Sequence, residues 1–147
     1  MPRMIFVNLP VADVEKSTAF YEALGFTKNE NFSQPGIAAS MVWSDTITLM
    51  LLSPHYFRSF LPAGKAVSDA HATTEVLLCL SFDSREADDE VTKAAARAGG
   101  RADPRPKQDH GFMYGRSFED LDGHIYEPMW MDVEAALSAQ PDDAASA

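Results

Sequence analysis

Near the end of the chain, DLDGHIYEPMWMD (Asp120 to Asp132) places one carboxylate, Glu127, in an apolar stretch behind a tight Asp-x-Asp-Gly turn. A carboxylate among apolar neighbours is costly unless it is solvated, paired or protonated. Three chemistries suit it: one ligand of a metal ion, a general base, or the counter-charge for a cationic ligand in a greasy pocket. Two side chains on the preceding stretch could answer it, Arg116 as an ion-pair partner and Tyr114 as a hydrogen-bond donor. Structural pairing of this kind competes with any functional role for Glu127.

Other reactive side chains add little. The four histidines include His55, His71 and His110 in loop-like stretches, and His124, which strand alternation turns away from Glu127. The one cysteine, Cys79, excludes an internal disulfide and a multi-cysteine zinc site. Within VLLCL it reads as a small buried side chain rather than a nucleophile.

The elements that must position Glu127 follow from periodicity. MIFVNLPVAD alternates, with Ile5, Val7, Leu9 and Val11 on one face and Met4, Phe6, Asn8 and Pro10 on the other, which predicts a strand. Asp13 can cap the helix VEKSTAFYEALGF, and Gly25 can stop it. FTKNENFS, PGIAASMVW and DTITLMLLS read as short strands. The order then restarts: EVLLCLSFDS alternates, Asp83 stands as a cap, and READDEVTKAAARAGG is an alanine-rich helix. RADP, GFMYGRSFED and HIYEPMWMD follow as strands. Asp13 and Asp83 give a repeat offset of 83 − 13 = 70 residues, nearly half the 147-residue chain. The expected fold is α+β, two βαβββ modules (about 1–53 and 73–132) joined by a linker, 54–72, into one domain, 1–132. The linker, rich in aromatics, reads as a packing or dimer-contact segment before a flap. The small and polar residues of 133–147 point to a disordered tail.

The net charge of −10 argues against nucleic acid, which calls for clustered Lys and Arg. No apolar run is long enough for a bilayer and no basic leader precedes one, so a cytoplasmic protein with no membrane partner is expected.

FVNLPVADVEKSTAFYEALGF resembles the opening of the glyoxalase/bleomycin-resistance/extradiol-dioxygenase superfamily (vicinal oxygen chelate fold), and FEDLDGHIYEPMW resembles its closing strand. The resemblance implies paired modules whose sheets curl around a central cavity, commonly in a homodimer. It implies no single reaction, because lyases, isomerases, dioxygenases and drug-binding proteins share the fold. In metal-dependent members similar to glyoxalase I, four strands each supply one ligand. By that resemblance Glu127 takes the last position, while Phe6, Leu77 and either Thr48 or Met50 stand at the other three. Phenylalanine and leucine coordinate nothing, so no metal cofactor of that type is expected. A shifted all-oxygen set of Asn8, Glu75 and Glu127 would be the route to a divalent cation.

The faces opposite the helix-packing ones carry Phe6, Asn8, Thr48, Met50, Leu77 and Met129 beside Glu127, with Trp43 or Phe6 as a possible cation–π face. Tyr114 and Arg116 complete the candidate lining. Methionine and apolar side chains around few polar groups describe a small-molecule pocket. The resulting expectation is a binding protein for a small, mostly apolar and cationic molecule, as in the drug-resistance branch. A lactoylglutathione lyase-like or dioxygenase-like enzyme with shifted ligands is the alternative.

Overall fold

The computed structural model describes residues 2–139. Strand β1 (Ile5–Pro10) leads into helix α1 (Val14–Ala23), followed by β2 (Thr27–Gln34), β3 (Ala38–Val42) and β4 (Ile47–Leu52). A short helix, α2 (Pro54–Arg58), opens the connection to β5 (Leu77–Ser81) and α3 (Arg85–Arg97). Short strands β6 (Arg101–Ala102), β7 (Gln108–Asp109), β8 (Met113–Gly115) and β9 (Phe118–Glu119) precede the long β10 (Ile125–Met131). GFMYGRSFED is thus split in two rather than forming one strand. Helix α4 (Val133–Leu137) forms where composition points to an unstructured tail; residues 140–147 lie outside the described ones.

The α+β class and the paired-module plan hold. The first sheet runs β1-β4-β3-β2, with β1 parallel to β4. In the second, curled sheet β10 is central, with β5 parallel on one side and β8 and β9 antiparallel along the other. Each module therefore closes its own sheet.

Asp13 caps α1 by accepting from the Lys16 backbone N–H at 3.0 Å. In the second module Ser84, not Asp83, takes that role, accepting from the Ala87 N–H at 3.1 Å. The repeat offset is therefore 84 − 13 = 71 residues. The apolar match sets this frame: Leu9 and Val11 align with Leu80 and Phe82, all four in or packed against the core. Phe6 then aligns with Leu77 and Asn8 with Cys79. Because Asn8 pairs with Met50 and Cys79 with Glu127, Met50 rather than Thr48 is the first-module counterpart of Glu127.

Helix-facing residues of both sheets share one core: Leu9, Met41, Leu49 and Leu51 from the first, and Leu80, Phe118 and Tyr126 from the second. Phe20 and Tyr21 of α1 bridge them, Tyr21 lying 5.9 Å centroid to centroid from Tyr126. The helices thus bind the modules together, and the opposite sheet faces stay outside the shared core.

Candidate functional site

The Asp-x-Asp-Gly turn proves to be a fastening between modules. Buried Asp120 accepts from the Tyr21 hydroxyl at 2.6 Å and from the backbone N–H groups of Asp122 (2.9 Å) and His124 (2.8 Å). The Tyr21 and Tyr126 hydroxyls lie 2.8 Å apart, and burial pushes both phenols well above their ordinary range. Asp122 reaches into the first module, accepting from the Ala12 N–H at 2.8 Å and the Ser17 hydroxyl at 3.3 Å. His124 Nε2 lies 2.8 Å from the Pro10 carbonyl, which can only accept, so that nitrogen carries the proton. Gly123, at φ +91°, lets the connection close over the turn; a Cβ there would meet the His71 backbone nitrogen at 2.8 Å.

Beyond the turn, β10 alternates. Tyr126 and Pro128 are buried, while Ile125, Glu127 and Met129 face the other way. On neighbouring β5, Leu77, Cys79 and Ser81 stand beside them in register, and Gly115 of β8 lies opposite Met129. Glu127 borders a cavity of about 120 Å³ together with Cys79, Arg105, Gln108, Met113 and Met129. Its carboxylate lies 3.6 Å from Arg105, and its side chain remains 24% exposed. Cys79 is exposed on this face, contrary to the burial expected from VLLCL. Partial desolvation of its sulfur against the sheet first, and the Glu127 charge second, push its thiol pKa up, which disfavours the thiolate.

Tyr114 and Arg116 are not the partners of Glu127. Both fall on the pleat opposite Gly115, toward α3, and although Arg116 borders the cavity its donors go elsewhere. Arg116 makes a forked pair with Asp103 (2.9 and 2.6 Å) and donates to Asp89 at 2.6 Å. The Tyr114 hydroxyl donates to the same Asp89 oxygen at 2.7 Å. The Arg116 hydrogen bonds hold the Asp103 carboxyl below its ordinary value.

The remaining candidates divide between two further places. Phe6, Asn8, Thr48 and Met50 share the outer face of the first sheet, Phe6 beside Thr48 and Asn8 beside Met50. Phe6 is 55% exposed and Thr48 is buried. Trp43 turns to the core instead, with ring centroids 4.8 Å from Phe26 and 5.4 Å from Phe82. Asn8 and Glu75 border a separate cavity of about 350 Å³ between the modules, beside Lys65 and His124. Within one chain, then, Asn8 and Glu75 come together and Glu127 stands apart from them. Among the described residues no three His, Cys, Asp or Glu side chains could share an ion. With carbon-only side chains at Phe6 and Leu77 and a thioether at Met50, the residues do not fit a glyoxalase-type metal centre.

Arg105 was not among the residues singled out from the sequence. Its signal there is modest: an arginine held between Pro104 and Pro106 in RADPRPKQ, which stiffens the backbone around it.

The bleomycin resistance protein-like N-terminal family model matches residues 3–41. Hypothetical protein SA1046 from S. aureus is similar at 28% identity and a TM-score of 0.71, over 88% of this chain and 95% of that one. A glyoxalase/bleomycin resistance protein/dioxygenase family enzyme from Burkholderia phytofirmans PsJN superposes with a TM-score of 0.67 at 17% identity, over 88% of this chain and 99% of that one. Lactoylglutathione lyase from Agrobacterium tumefaciens gives 0.64 at 14% identity, over 90% and 96% of the two chains. The last two, at such identities, share the fold alone. No curated protein matches by sequence.

Proposed function

We propose that this chain is a member of the glyoxalase/bleomycin-resistance/dioxygenase superfamily and binds a small, largely apolar molecule with a cationic group, held by Glu127 without a metal. The observation that carries this reading is the open face around Glu127. One carboxylate stands among Leu77, Cys79, Ile125 and Met129, answered, among the described residues, only by a loose contact to a half-exposed arginine. Glu119, farther along the same sheet, lies beside Arg101 at 3.8 Å. An apolar body covering the face would displace water from Glu127 and strengthen its pull on a cation. The net charge of −10 favours the approach of cations from solution. Retaining such a molecule unchanged is a sequestration or resistance role, with the cytoplasm as its compartment.

The same reading includes a homodimer. Among the described residues, strands β1 and β5 each have one unpaired edge, and Ile5, Phe6, Val76 and Leu77 are exposed by 56, 55, 53 and 54%. A second copy covering these edges would set the Phe6, Asn8 and Met50 face opposite Glu127 and enclose the cavity. Sedimentation velocity of the wild type is expected to show a dimer and of Leu77→Arg a monomer. A wild-type monomer at tens of micromolar would remove this part of the reading.

Binding is tested by titration calorimetry with 2-phenylethylamine and its neutral analogue 2-phenylethanol. The amine is expected to bind more tightly, and Glu127→Gln to weaken the amine about tenfold or more while leaving the alcohol unchanged. Equal affinities of the wild type and Glu127→Gln for the amine would overturn the proposal.

A further inference from the structure

Among the described residues, Asp103 is the only one other than glycine with a positive φ, 52°. Left-handed backbone at a non-glycine residue costs energy, though least for Asp and Asn, and persists where its surroundings hold it. Here the hold is explicit. The Arg116 fork grips the Asp103 carboxylate, and the Asp103 N–H donates to the Ser117 carbonyl at 2.7 Å. Two residues on, the hydroxyl of buried Ser117 accepts from the Arg105 N–H at 3.4 Å and donates to the Arg105 carbonyl at 3.3 Å. Pro104 and Pro106 restrict the backbone on either side.

This anchored arm carries one side chain to Glu127. The Arg105 guanidinium lies 3.6 Å from the carboxylate with its side chain 51% exposed. A pair this loose and this wet adds little to stability, too little to account for the arm as a stabilising device. Arg105 nevertheless places a planar fork of donors at the rim of the Glu127 cavity, with most of them open to a ligand. A simple cation entering to meet Glu127 is repelled by Arg105. A ligand with a carboxylate next to its ammonium group satisfies both side chains at once, and its apolar body can lie over Met113 and Met129.

We infer that Arg105 is a specificity-determining residue that makes the Glu127 face select an apolar zwitterion, with ammonium and carboxylate on one carbon, over a simple cation. This rests on the reading of the Glu127 face as a binding site and names the class of ligand it takes.

The experiment is calorimetric titration of the full chain and of Arg105→Ala and Arg105→Lys with three probes of one scaffold: phenylalanine, 2-phenylethylamine and 3-phenylpropionate. The wild type is expected to prefer phenylalanine to the amine by about tenfold, as charge-assisted forked pairing allows, and to bind the propionate weakest. Arg105→Ala should abolish the preference and bind the amine as well as the wild type does or better. Arg105→Lys, with charge but no planar fork, should fall between. Unchanged unfolding midpoints would show that both variants fold. An unchanged phenylalanine-to-amine ratio in Arg105→Ala, with amine binding still dependent on Glu127, overturns the inference and leaves the site standing. No binding of any probe by the wild type overturns both.

Discussion

Asp120→Ala is expected to lower folding stability by about 3–5 kcal/mol, the range for removing one partner of a buried charged network. The carboxylate accepts from three donors on two elements, and its loss orphans the backbone N–H groups of Asp122 and His124. It also leaves the fully buried Tyr21 and Tyr126 hydroxyls with only each other. Because Tyr21 belongs to α1 and Asp120 to the turn before β10, the damage falls on the junction of the modules. Urea unfolding should show a lower midpoint, and Tyr21→Phe a smaller loss in the same direction. A change below about 1 kcal/mol for Asp120→Ala, the ordinary net worth of one hydrogen bond, would contradict the role assigned to the turn.

Asp88→Asn is expected to do the opposite. Asp88 lies in the first turns of α3 with no exposed surface, and neither carboxylate oxygen has a hydrogen bond of normal geometry. Burial foremost, with the Asp89 charge second, pushes its carboxyl from 3.8 up to about 7; the Trp130 backbone N–H and Arg116 offset this only in part. The sign follows from which state holds the proton. Below the ordinary value both folded and unfolded chains are protonated, and Asp88 adds no cost of a buried charge. As pH rises toward 7 the unfolded chain releases a proton that the folded chain retains, so stability falls. Above 7 the cost is fully developed, at about 2–4 kcal/mol. Asp88→Asn should therefore raise stability at pH 8 by about that amount, flatten its fall between pH 4 and 7, and change little at pH 4. Parallel pH profiles for the two proteins would contradict an unpartnered carboxylate at this position.

How much of this was legible beforehand depends on the range of the interactions. Alternation in MIFVNLPVAD and EVLLCLSFDS is a local signal, and it located β1, β5 and the repeat. Asp13 and Asp83 alone suggest an offset of 70, yet Asp and Ser cap equally well, and packing of Leu80 and Phe82 into the core sets the frame. A single continuous strand over GFMYGRSFED would set Tyr114 and Arg116 beside Glu127. The break between β8 and β9, and the pairing of Gly115 with Met129, put them on the α3 side instead. Trp43 was misplaced for a similar reason, since the strand ends at Val42 and the ring turns in toward Phe82. Arg105 reaches Glu127 from 22 residues away through a loop shaped by Arg116 and Ser117, a contact that no local pattern encodes.

The most direct measurement maps where an apolar cation binds: backbone amide shifts of isotope-labelled protein titrated with 2-phenylethylamine. Shifts are expected to concentrate at Leu77–Ser81, Met113–Gly115 and Ile125–Met131, and to need about tenfold more amine for half-saturation in Glu127→Gln. Shifts gathered instead at Asn8, Glu75 and His124, around the cavity between the modules, or half-saturation at the same amine concentration in Glu127→Gln, would contradict a ligand site built on Glu127.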